Sequence, residues 1–236
     1  MNYLKLIRYQ NLLMLAFMQL VFRYLFLKQS AVDLALTDFN YILLIIATVS
    51  IAAGGYVINN IMDQETDAIS KPQNRVVGVS ISETVAYNWY IGLTILGVAL
   101  GFYLSNVIYK PTFASLFILV ATLLYVYATN LKQIPVVGNI IVAALLSVSI
   151  VIIAFFDILP AIDQDNRIRM KEAFSILMDY AIFAFIINLI REIVKDLEDR
   201  DGDYQTGMNT LPIAIGIQKT KSIVGVLTLI AVLLLA

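Results

Sequence analysis

YILLIIATVSIAAGGYVINNIMDQETD, residues 41–67, decides the fold of this chain. Its first part, 41–61, contains no charged residue and is long enough to cross the hydrocarbon core of a bilayer, which takes about 20 residues of α-helix. Carboxylates follow at once, at Asp63 and Asp67, where the predicted helix leaves the apolar layer. The stretch therefore predicts a membrane-spanning helix that ends in an acidic group.

Six more apolar runs lie along the chain, so we predict seven membrane spans. Leu, Ile, Val, Ala and Phe run continuously through them, whereas the strands of a membrane barrel alternate over about 10 residues. The chain is thus predicted to be all-α, a polytopic membrane helical bundle with one domain over 1–236. Because the last run is shorter than a crossing needs, we expect this domain to be C-terminally incomplete. The predicted spans are 12–27, 41–61, 85–107, 113–129, 136–156, 173–194 and 222–236.

The composition excludes several kinds of catalytic residue and metal site. The 236 residues are 60% hydrophobic and 14% charged, and they include no cysteine and no histidine. Disulfides, cysteine nucleophiles, the usual zinc ligands and the usual general base are therefore excluded. A net charge of -1 and the lack of a basic patch with interleaved aromatic residues argue against nucleic acid as a partner. Any reaction must depend on carboxylates, amides, hydroxyls and basic side chains.

Basic residues orient the predicted spans. Ten of the 16 Lys and Arg lie before the first span or after spans two, four and six. The positive-inside rule places that side in the cytoplasm, together with both acidic helix ends. We therefore predict an integral protein of the cell membrane with its acidic motifs on the cytoplasmic side. The loop 157–171 on the opposite side mixes three acids with three bases, and we interpret it as a solvated connector.

The first acidic helix end carries Asn59, Asp63 and Asp67 at i, i+4 and i+8. On one continuous helix these side chains form a single ridge, about 6 Å apart along the axis. Mg²⁺ takes oxygen ligands, usually one or two carboxylates with water and phosphate completing the octahedron. Lys71 and Arg75 follow in a short loop, where they can bind phosphate oxygens that a metal leaves uncovered. A helix that simply ends in water would explain one or two acidic residues, but it would not explain the i, i+4, i+8 spacing.

The second acidic helix end carries Asp196, Asp199 and Asp203 after the sixth span. Asp199 and Asp203 are one turn apart if the helix continues, although Gly202 and Gly207 suggest that it loosens into a loop. Because Lys and Arg are interleaved here, a salt-bridged helix end explains this segment alone equally well. Two acidic ends on one predicted membrane face indicate instead a metal-bound anion held between them.

Three short motifs and six single positions carry a resemblance to a known family. The motifs are Asn-x-x-x-Asp-x-x-x-Asp at Asn59, Asp63 and Asp67, Lys-Pro-x-Arg at Lys71, Pro72, Asn74 and Arg75 with one extra residue, and Asp-x-x-x-Asp at Asp199 and Asp203; the single positions are Arg8, Asn11, Tyr125, Lys132, Gly138 and Asn139. Together they resemble the UbiA-type intramembrane prenyltransferases over nearly the whole chain. The run 191–212 is most similar to the digeranylgeranylglyceryl phosphate synthase branch. The resemblance implies nine helices around a central cavity.

This resemblance also implies an activity. It is the Mg²⁺-dependent transfer of a polyprenyl group from polyprenyl diphosphate to a lipophilic acceptor, with geranylgeranylglyceryl phosphate as the expected acceptor. Tyr125 and Tyr127 are candidates for shielding an allylic cation with their rings. The implied assignments are Asn59, Asp63, Asp67, Asp199 and Asp203 as catalytic residues, Asp63, Asp67, Asp196, Asp199 and Asp203 as metal ligands, Lys71, Arg75 and Lys132 as diphosphate-binding residues, and Arg8, Asn11, Tyr125 and Arg191 as substrate-binding residues.

Three alternatives stay open at this point. An enzyme of this type can act instead on an aromatic quinone precursor, 4-hydroxybenzoate or a dihydroxynaphthoate. A cation-coupled transporter also uses intramembrane acids, but it places them near the membrane midplane on broken helices. A non-catalytic assembly or lipid-binding protein would leave the carboxylate register unexplained. Membrane lipid is an expected partner, and the sequence indicates no obligate protein partner.

Overall fold

In the residues that the structure describes, the fold consists of ten α-helices joined by short 3₁₀ and π segments. The computed structural model describes residues 2–30, 32–70 and 72–235. Within these ranges it contains no β-strand, only one isolated bridge between Val77 and Ile81. In chain order the helices are α1 (Asn2–Leu6), α2 (Tyr9–Val21), α3 (Asp38–Met62), α4 (Gln64–Ser70), α5 (Glu83–Val107), α6 (Ala114–Thr129), α7 (Val137–Ile153), α8 (Arg167–Gln205), α9 (Leu211–Ile215) and α10 (Ile217–Leu233).

Six of these helical segments are long and apolar enough to cross a membrane. They contain the first six predicted spans except residue 136, which directly precedes α7, so the all-α membrane bundle is confirmed. The seventh prediction falls on α10, whose 17 residues are not among the six. The count of seven spans, the nine helices and the single domain stay predictions. The six segments are Tyr9–Leu27, Asp38–Met62, Glu83–Val107, Pro111–Thr129, Val137–Ala161 and Arg167–Gln205.

Side-chain caps fix where two of these spans begin. The Thr37 hydroxyl accepts a hydrogen bond from the backbone N–H of Asn40 at 3.2 Å, and α3 starts at the next residue after Thr37. Ser82 caps α5 in the same way through the N–H of Val85. Each cap satisfies an N–H that has no partner inside the helix. Both helices therefore start at a polar residue just outside an apolar run.

The centre of the bundle is α3, which packs against α2, α5 and α6. At the α3–α5 crossing, a Cβ added to Gly97 would lie 2.9 Å from the backbone oxygen of Ala47 and would also meet the Ile51 side chain. Without a hydrophobic force between helices in lipid, small residues allow the close contacts that hold membrane helices together. The core around this crossing is formed largely by Tyr41, Leu44, Ile51, Leu104, Phe117 and Phe156.

Gly97→Ala is expected to destabilise the protein by about 1–3 kcal/mol, because its methyl group overpacks a backbone contact. Gly92 lies on the same helix with nothing within 4 Å of its added Cβ, so it provides the matched control. Gly92→Ala should leave the stability unchanged or raise it by up to about 1 kcal/mol through helix propensity. Thermal unfolding of the two variants in one detergent makes the comparison. Equal shifts for both variants would contradict the close crossing.

A buried charge cluster closes the end of the bundle opposite the acidic helix ends. Arg23 is 1% exposed and pairs with Asp157, which is fully buried. Arg23 also donates to the backbone oxygen of Leu36 at 2.6 Å, and Leu36 N–H donates to Asp157 at 3.0 Å. The guanidinium lies over the Tyr41 ring, 4.4 Å from its centroid. Hydrogen bonds and the ring thus compensate both charges, as buried ions require.

The buried position of Asp157 shows that residues 157–171 are not a solvated connector throughout. Asp157 lies in a π-helical turn, Ala154–Ile158, that extends α7, and its carboxylate faces Arg23 rather than water. Residues 163–165 are exposed, as a connector predicts, and α8 already begins at Arg167. The prediction was wrong for Asp157 because its partner is 134 residues away in the sequence.

Candidate functional site

The first acidic group lies where α3 ends. The helix is interrupted at Asp63, which has φ -91° and ψ 5°, and α4 begins at Gln64. The ridge predicted on one continuous helix is therefore broken. Backbone hydrogen bonds still run from Asp63 N–H to Asn59 oxygen and from Asp67 N–H to Asp63 oxygen, at 2.9 and 2.8 Å. As a result the three side chains still face the same cavity.

The second acidic group lies on α8, whose 39 residues extend about 58 Å at 1.5 Å per residue. This is far longer than a hydrocarbon core of about 30 Å, so the acidic end of α8 projects beyond it. The helix does not loosen at Gly202, contrary to the prediction. It continues to Gln205, and Gly207 follows with φ +73°. Asp199 and Asp203 therefore lie one turn apart on a continuous helix.

Both acidic groups line one polar cavity of about 890 Å³. Two further cations, Lys5 and Lys195, reach this cavity in addition to those that the sequence indicated. Positive and negative groups thus line the same cavity, which suits an anion bound both through a metal and through basic side chains. The charged residues of the polar cavity are Asp63, Asp67, Asp196, Asp199, Asp203, Lys5, Arg8, Lys132 and Lys195.

Lys132 reaches the first acidic group from the loop between α6 and α7. Its ammonium forms an ion pair with Asp63, and the Asn59 amide donates to the other Asp63 oxygen at 2.6 Å. The loop can lie close to α7 because Gly138 has no side chain: a Cβ there would be 3.2 Å from Leu131 oxygen and from Lys132 Cα. The packing of α7 against this loop therefore positions a cation at Asp63.

The second acidic group is also held by a neighbouring amide. Asn139, near the start of α7, donates from Nδ2 to Asp196 Oδ2 at 2.8 Å. This hydrogen bond satisfies one lone pair of a half-buried carboxylate and fixes its rotamer. Gly138 and Asn139 are neighbours, so a single helix end positions Lys132 on one side and Asp196 on the other.

The donor set fits Mg²⁺ bound together with phosphate. Within the described ranges, no three Asp or Glu side chains are grouped closely enough to hold an ion by themselves. Mg²⁺ usually takes one or two carboxylates from a protein and completes its octahedron with water and substrate phosphates. The two acidic groups, one where α3 ends and one on α8, line one cavity and match that requirement. They do not match a Ca²⁺ cage, which needs six to eight protein or water oxygens around one centre.

An apolar cavity of about 200 Å³ opens beside the polar cavity, between the membrane helices. Five residues line both cavities, Arg8, Asn11, Asn59, Tyr127 and Lys195, and we call them the junction. The charged wall of the polar cavity and the apolar wall of the second cavity therefore meet directly at these five residues. The wall of the apolar cavity is formed largely by Ile51, Phe117, Val120, Leu124, Leu146 and Ile152.

Arg8 enters the junction from a break between α1 and α2. Its backbone has φ +50° and ψ +54°, a left-handed conformation that non-glycine residues rarely adopt and that often marks functional positions. The guanidinium lies 5.3 Å from the centroid of the Tyr56 ring, and the Asn11 amide donates to the Tyr56 hydroxyl at 3.2 Å. The break directs Arg8 into both cavities instead of along the α2 axis.

Some predicted site residues lie elsewhere. Arg191 lines the apolar cavity only. Of the described side chains, Arg75 and Tyr125 line neither cavity, and the Tyr125 ring stacks on Tyr90 with centroids 6.3 Å apart. Tyr127, two residues further on, points into the junction. Lys71 lies outside the described residues.

The sequence interpretation also missed residues of the site. Lys195 and Glu192 line the cavities from α8, and their place one turn or less from Asp196 was a signal that could have identified them. Tyr56 lines the apolar cavity beside Arg8. No local pattern marks Tyr56, because its role depends on the break at Arg8.

The sequence matches known proteins over most of its length. The profile of the UbiA prenyltransferase family matches residues 15–236. The chain is 35% identical over 186 residues to the digeranylgeranylglyceryl phosphate synthase of Saccharolobus solfataricus, covering 78% of this chain and 60% of that protein. Against the synthase of the same name from Sulfurisphaera tokodaii, it is 36% identical over 179 residues, covering 76% and 59%. The chain thus spans about three fifths of the length of these relatives.

Solved structures share the fold. A digeranylgeranylglyceryl phosphate synthase structure superposes with a TM-score of 0.69 at 25% identity, covering 99% of this chain and 75% of the other. A UbiA homolog from Archaeoglobus fulgidus, bound to DMAPP and Mg²⁺, superposes with the same TM-score at 17% identity, covering 99% and 76%. At that identity the second similarity supports the helical architecture alone.

Proposed function

Because the chain belongs to the UbiA prenyltransferase family, we propose that it is a prenyltransferase that moves a polyprenyl group from polyprenyl diphosphate to a lipophilic acceptor with Mg²⁺. The observation that carries this proposal is the junction. A polar cavity lined by two aspartate groups meets an apolar cavity between membrane helices at five shared residues. A molecule with a charged head and a long hydrocarbon tail matches both parts at once.

The head of the donor would lie in the polar cavity. Mg²⁺, when bound, would stabilise the negative charge that develops on the leaving diphosphate. Its proposed ligands, directly or through water, are Asp63, Asp67, Asp196, Asp199 and Asp203, with Asn59 orienting Asp63 as it already does at 2.6 Å. Lys132 is proposed to bind diphosphate oxygens, since its ammonium already lies among these carboxylates. Lys71 and Arg75 stay proposed diphosphate-binding residues from the sequence.

The prenyl tail would lie in the apolar cavity, whose wall excludes water from the reacting carbon. An allylic cation reacts rapidly with water, so a dry wall directs it to the intended acceptor. Tyr127 at the junction is the better candidate for an aromatic face near this carbon, because Tyr125 lies on another surface. Asn11 and Asn59 supply amides at the same depth.

The acceptor is proposed to be geranylgeranylglyceryl phosphate. The two curated relatives described above are named digeranylgeranylglyceryl phosphate synthases. Their product name implies an acceptor with one prenyl ether, one phosphate and one free hydroxyl. Such an acceptor needs a second cationic site, and the junction offers Arg8 and Lys195, with Arg191 on the adjoining apolar wall.

The protein is an integral membrane protein, and we propose that it lies in the cell membrane. The polar cavity would then face the cytoplasm, in line with the distribution of basic residues. Membrane lipid would surround the six candidate spanning segments, and we propose no obligate protein partner. The seventh span, the nine-helix bundle and the single domain belong to the same proposal.

Transfer of radiolabel from geranylgeranyl diphosphate tests the proposal with purified protein in liposomes. We expect label in the geranylgeranylglyceryl ether only when Mg²⁺ is present, and its loss on chelation. Parallel reactions contain 4-hydroxybenzoate or a dihydroxynaphthoate in place of the glycerol phosphate acceptor. Transfer to an aromatic acceptor alone would refute the proposed acceptor. Mg²⁺-independent ion flux without any transfer would refute the enzyme assignment in favour of a transporter.

A further inference from the structure

Glu192 is a buried carboxylate that the proposed metal and diphosphate sites do not use. It lies on α8 inside the predicted span 173–194 and is 9% exposed. Its side chain lines the apolar cavity and not the polar one. In the described part of the chain it accepts no hydrogen bond, and its nearest cation is Arg191, with Nη1 3.7 Å from Oε1. That distance is too long for a hydrogen bond.

Such a carboxylate is costly unless it has a function. An ionised side chain among membrane helices is disfavoured by several kcal/mol, and weak compensation by a mostly exposed Arg191 offsets only part of this. Two other carboxylates of this chain are held more tightly: the buried Asp157 has Arg23 and Leu36 N–H, and the half-buried Asp196 has the Asn139 amide. Of these three, Glu192 alone has no hydrogen bond from a described residue, and its side chain lines the apolar cavity.

The position of Glu192 suits contact with the acceptor rather than with the diphosphate. It lies one turn before Asp196 on α8, so it is further into the membrane than the acidic group. Lys195 and Tyr127 of the junction line the same cavity. An acceptor whose phosphate contacts Arg8 or Lys195 would therefore present its free hydroxyl on the apolar side of the junction, next to Glu192.

We propose that Glu192 is the proton acceptor for the acceptor hydroxyl, an inference that rests on the proposed prenyl transfer. The hydroxyl oxygen forms a bond to C1 of the prenyl chain, and the bond between C1 and the diphosphate oxygen breaks with its electron pair on the diphosphate. The hydroxyl proton goes to the Glu192 carboxylate. Protonated Glu192 then loses that proton to water in the polar cavity, past Lys195, and the products are the ether and diphosphate.

Charged and titratable groups around Glu192 come from several elements. On α8 they are Arg191, Lys195 and Asp196, and from α6 Tyr127 faces the same cavity. Arg8 and Tyr56 approach from the N-terminal break and from α3. Three cations, one neighbouring acid and two tyrosines are thus the charged and titratable groups that line the cavities near this carboxylate.

Glu192→Gln tests this role, because it keeps the size of the side chain but removes its ability to accept the proton. With a monoprenylated glycerol phosphate acceptor, we expect kcat to fall about 10²-fold or more, the usual contribution of a positioned base. A second acceptor carries a thiol in place of the free hydroxyl. Thiols ionise near pH 8.5 without a base, so the same variant should lose less than about fivefold with it. The matched control is Glu198→Gln, an exposed glutamate on α8 that lines neither cavity.

Four outcomes separate the possibilities. A large loss with the alcohol and a small loss with the thiol supports Glu192 as the base. Equal losses with both acceptors, in a variant that still binds geranylgeranyl diphosphate with Mg²⁺, would overturn it and leave only a structural role. Unchanged alcohol transfer by Glu192→Gln would overturn it while the prenyl transfer itself stands. If the unaltered protein transfers to neither acceptor, the proposed function fails and Glu192 loses its role with it.

Discussion

Asp199→Asn is expected to abolish Mg²⁺-dependent prenyl transfer, lowering the rate by at least about 10³-fold, which corresponds to about 4 kcal/mol of transition-state stabilisation. Asn keeps the shape of the side chain but removes the charge that attracts a divalent cation. Asp199 lies on the continuous part of α8 and lines the polar cavity. The loss should appear in kcat and in the Mg²⁺ concentration needed for half-maximal rate.

The control for this variant is Asp201→Asn, two residues further along the same helix. The Asp201 side chain is 90% exposed, contacts Arg200 at 3.3 Å, and lines neither cavity. The rate of prenyl transfer by the Asp201→Asn variant should stay within about twofold of that of the unaltered protein, since exposed charges contribute little to binding or stability. Steady-state transfer of labelled geranylgeranyl groups measures both variants. If Asp199→Asn kept full activity, or if the two variants lost activity equally, α8 would not hold the metal.

Asp157→Asn is expected to destabilise the protein by about 3–5 kcal/mol, because it leaves the buried Arg23 guanidinium without its charged partner. Arg23 is 1% exposed and would keep Leu36 oxygen, the more exposed Asp38 and the Tyr41 ring as partners. For a domain of this size the midpoint of thermal unfolding should fall by roughly 10 °C. The chain contains no cysteine, so thiol-reactive dyes cannot report its unfolding, whereas one Trp and 13 Tyr give an intrinsic fluorescence signal.

A second ion pair at the same end of the bundle provides the control. Arg169 and Asp33 lie 2.9 Å apart, and their side chains are 51% and 54% exposed. Arg169→Gln should therefore cost less than about 1 kcal/mol. Asp157 lies at the end of the bundle opposite the acidic groups, so the Asp157→Asn protein that remains folded should transfer prenyl groups normally. Similar destabilisation by the two substitutions would show that the Arg23 pair is no stronger than a surface contact.

Much of the architecture is predictable from the sequence because lipid imposes a simple rule. Backbone groups inside a bilayer must bond within their own helix, so each apolar run such as 41–61 is a helix almost without alternative. The acidic ends were predictable for a related reason: carboxylates at the edge of hydrocarbon need compensation. Asp63 and Asp199 were therefore predicted as site residues, and both line one cavity in the structure.

The rest depended on contacts that no local pattern contains. The interruption at Asp63 leaves the i, i+4, i+8 spacing unchanged, so the sequence could not distinguish a broken ridge from a continuous one. Gly202 disfavours a helix by about 1 kcal/mol, but α8, which begins at Arg167, still continues past it to Gln205. Tyr125 and Tyr127 differ by two residues on α6, which turns their side chains to nearly opposite faces; only the packing shows that Tyr127 faces the junction.

The central claim is that the two acidic groups hold one metal and diphosphate between them. A structure of the protein with Mn²⁺ and a non-hydrolysable thio-analogue of geranylgeranyl diphosphate tests it most directly, because Mn²⁺ takes the same carboxylate and phosphate ligands as Mg²⁺ and is visible by anomalous scattering. We predict metal in the polar cavity, at about 2.0–2.2 Å from carboxylate oxygens of both groups and from the diphosphate, with the prenyl chain in the apolar cavity. Metal bound to one group alone, or a diphosphate bound outside the polar cavity, would contradict the account.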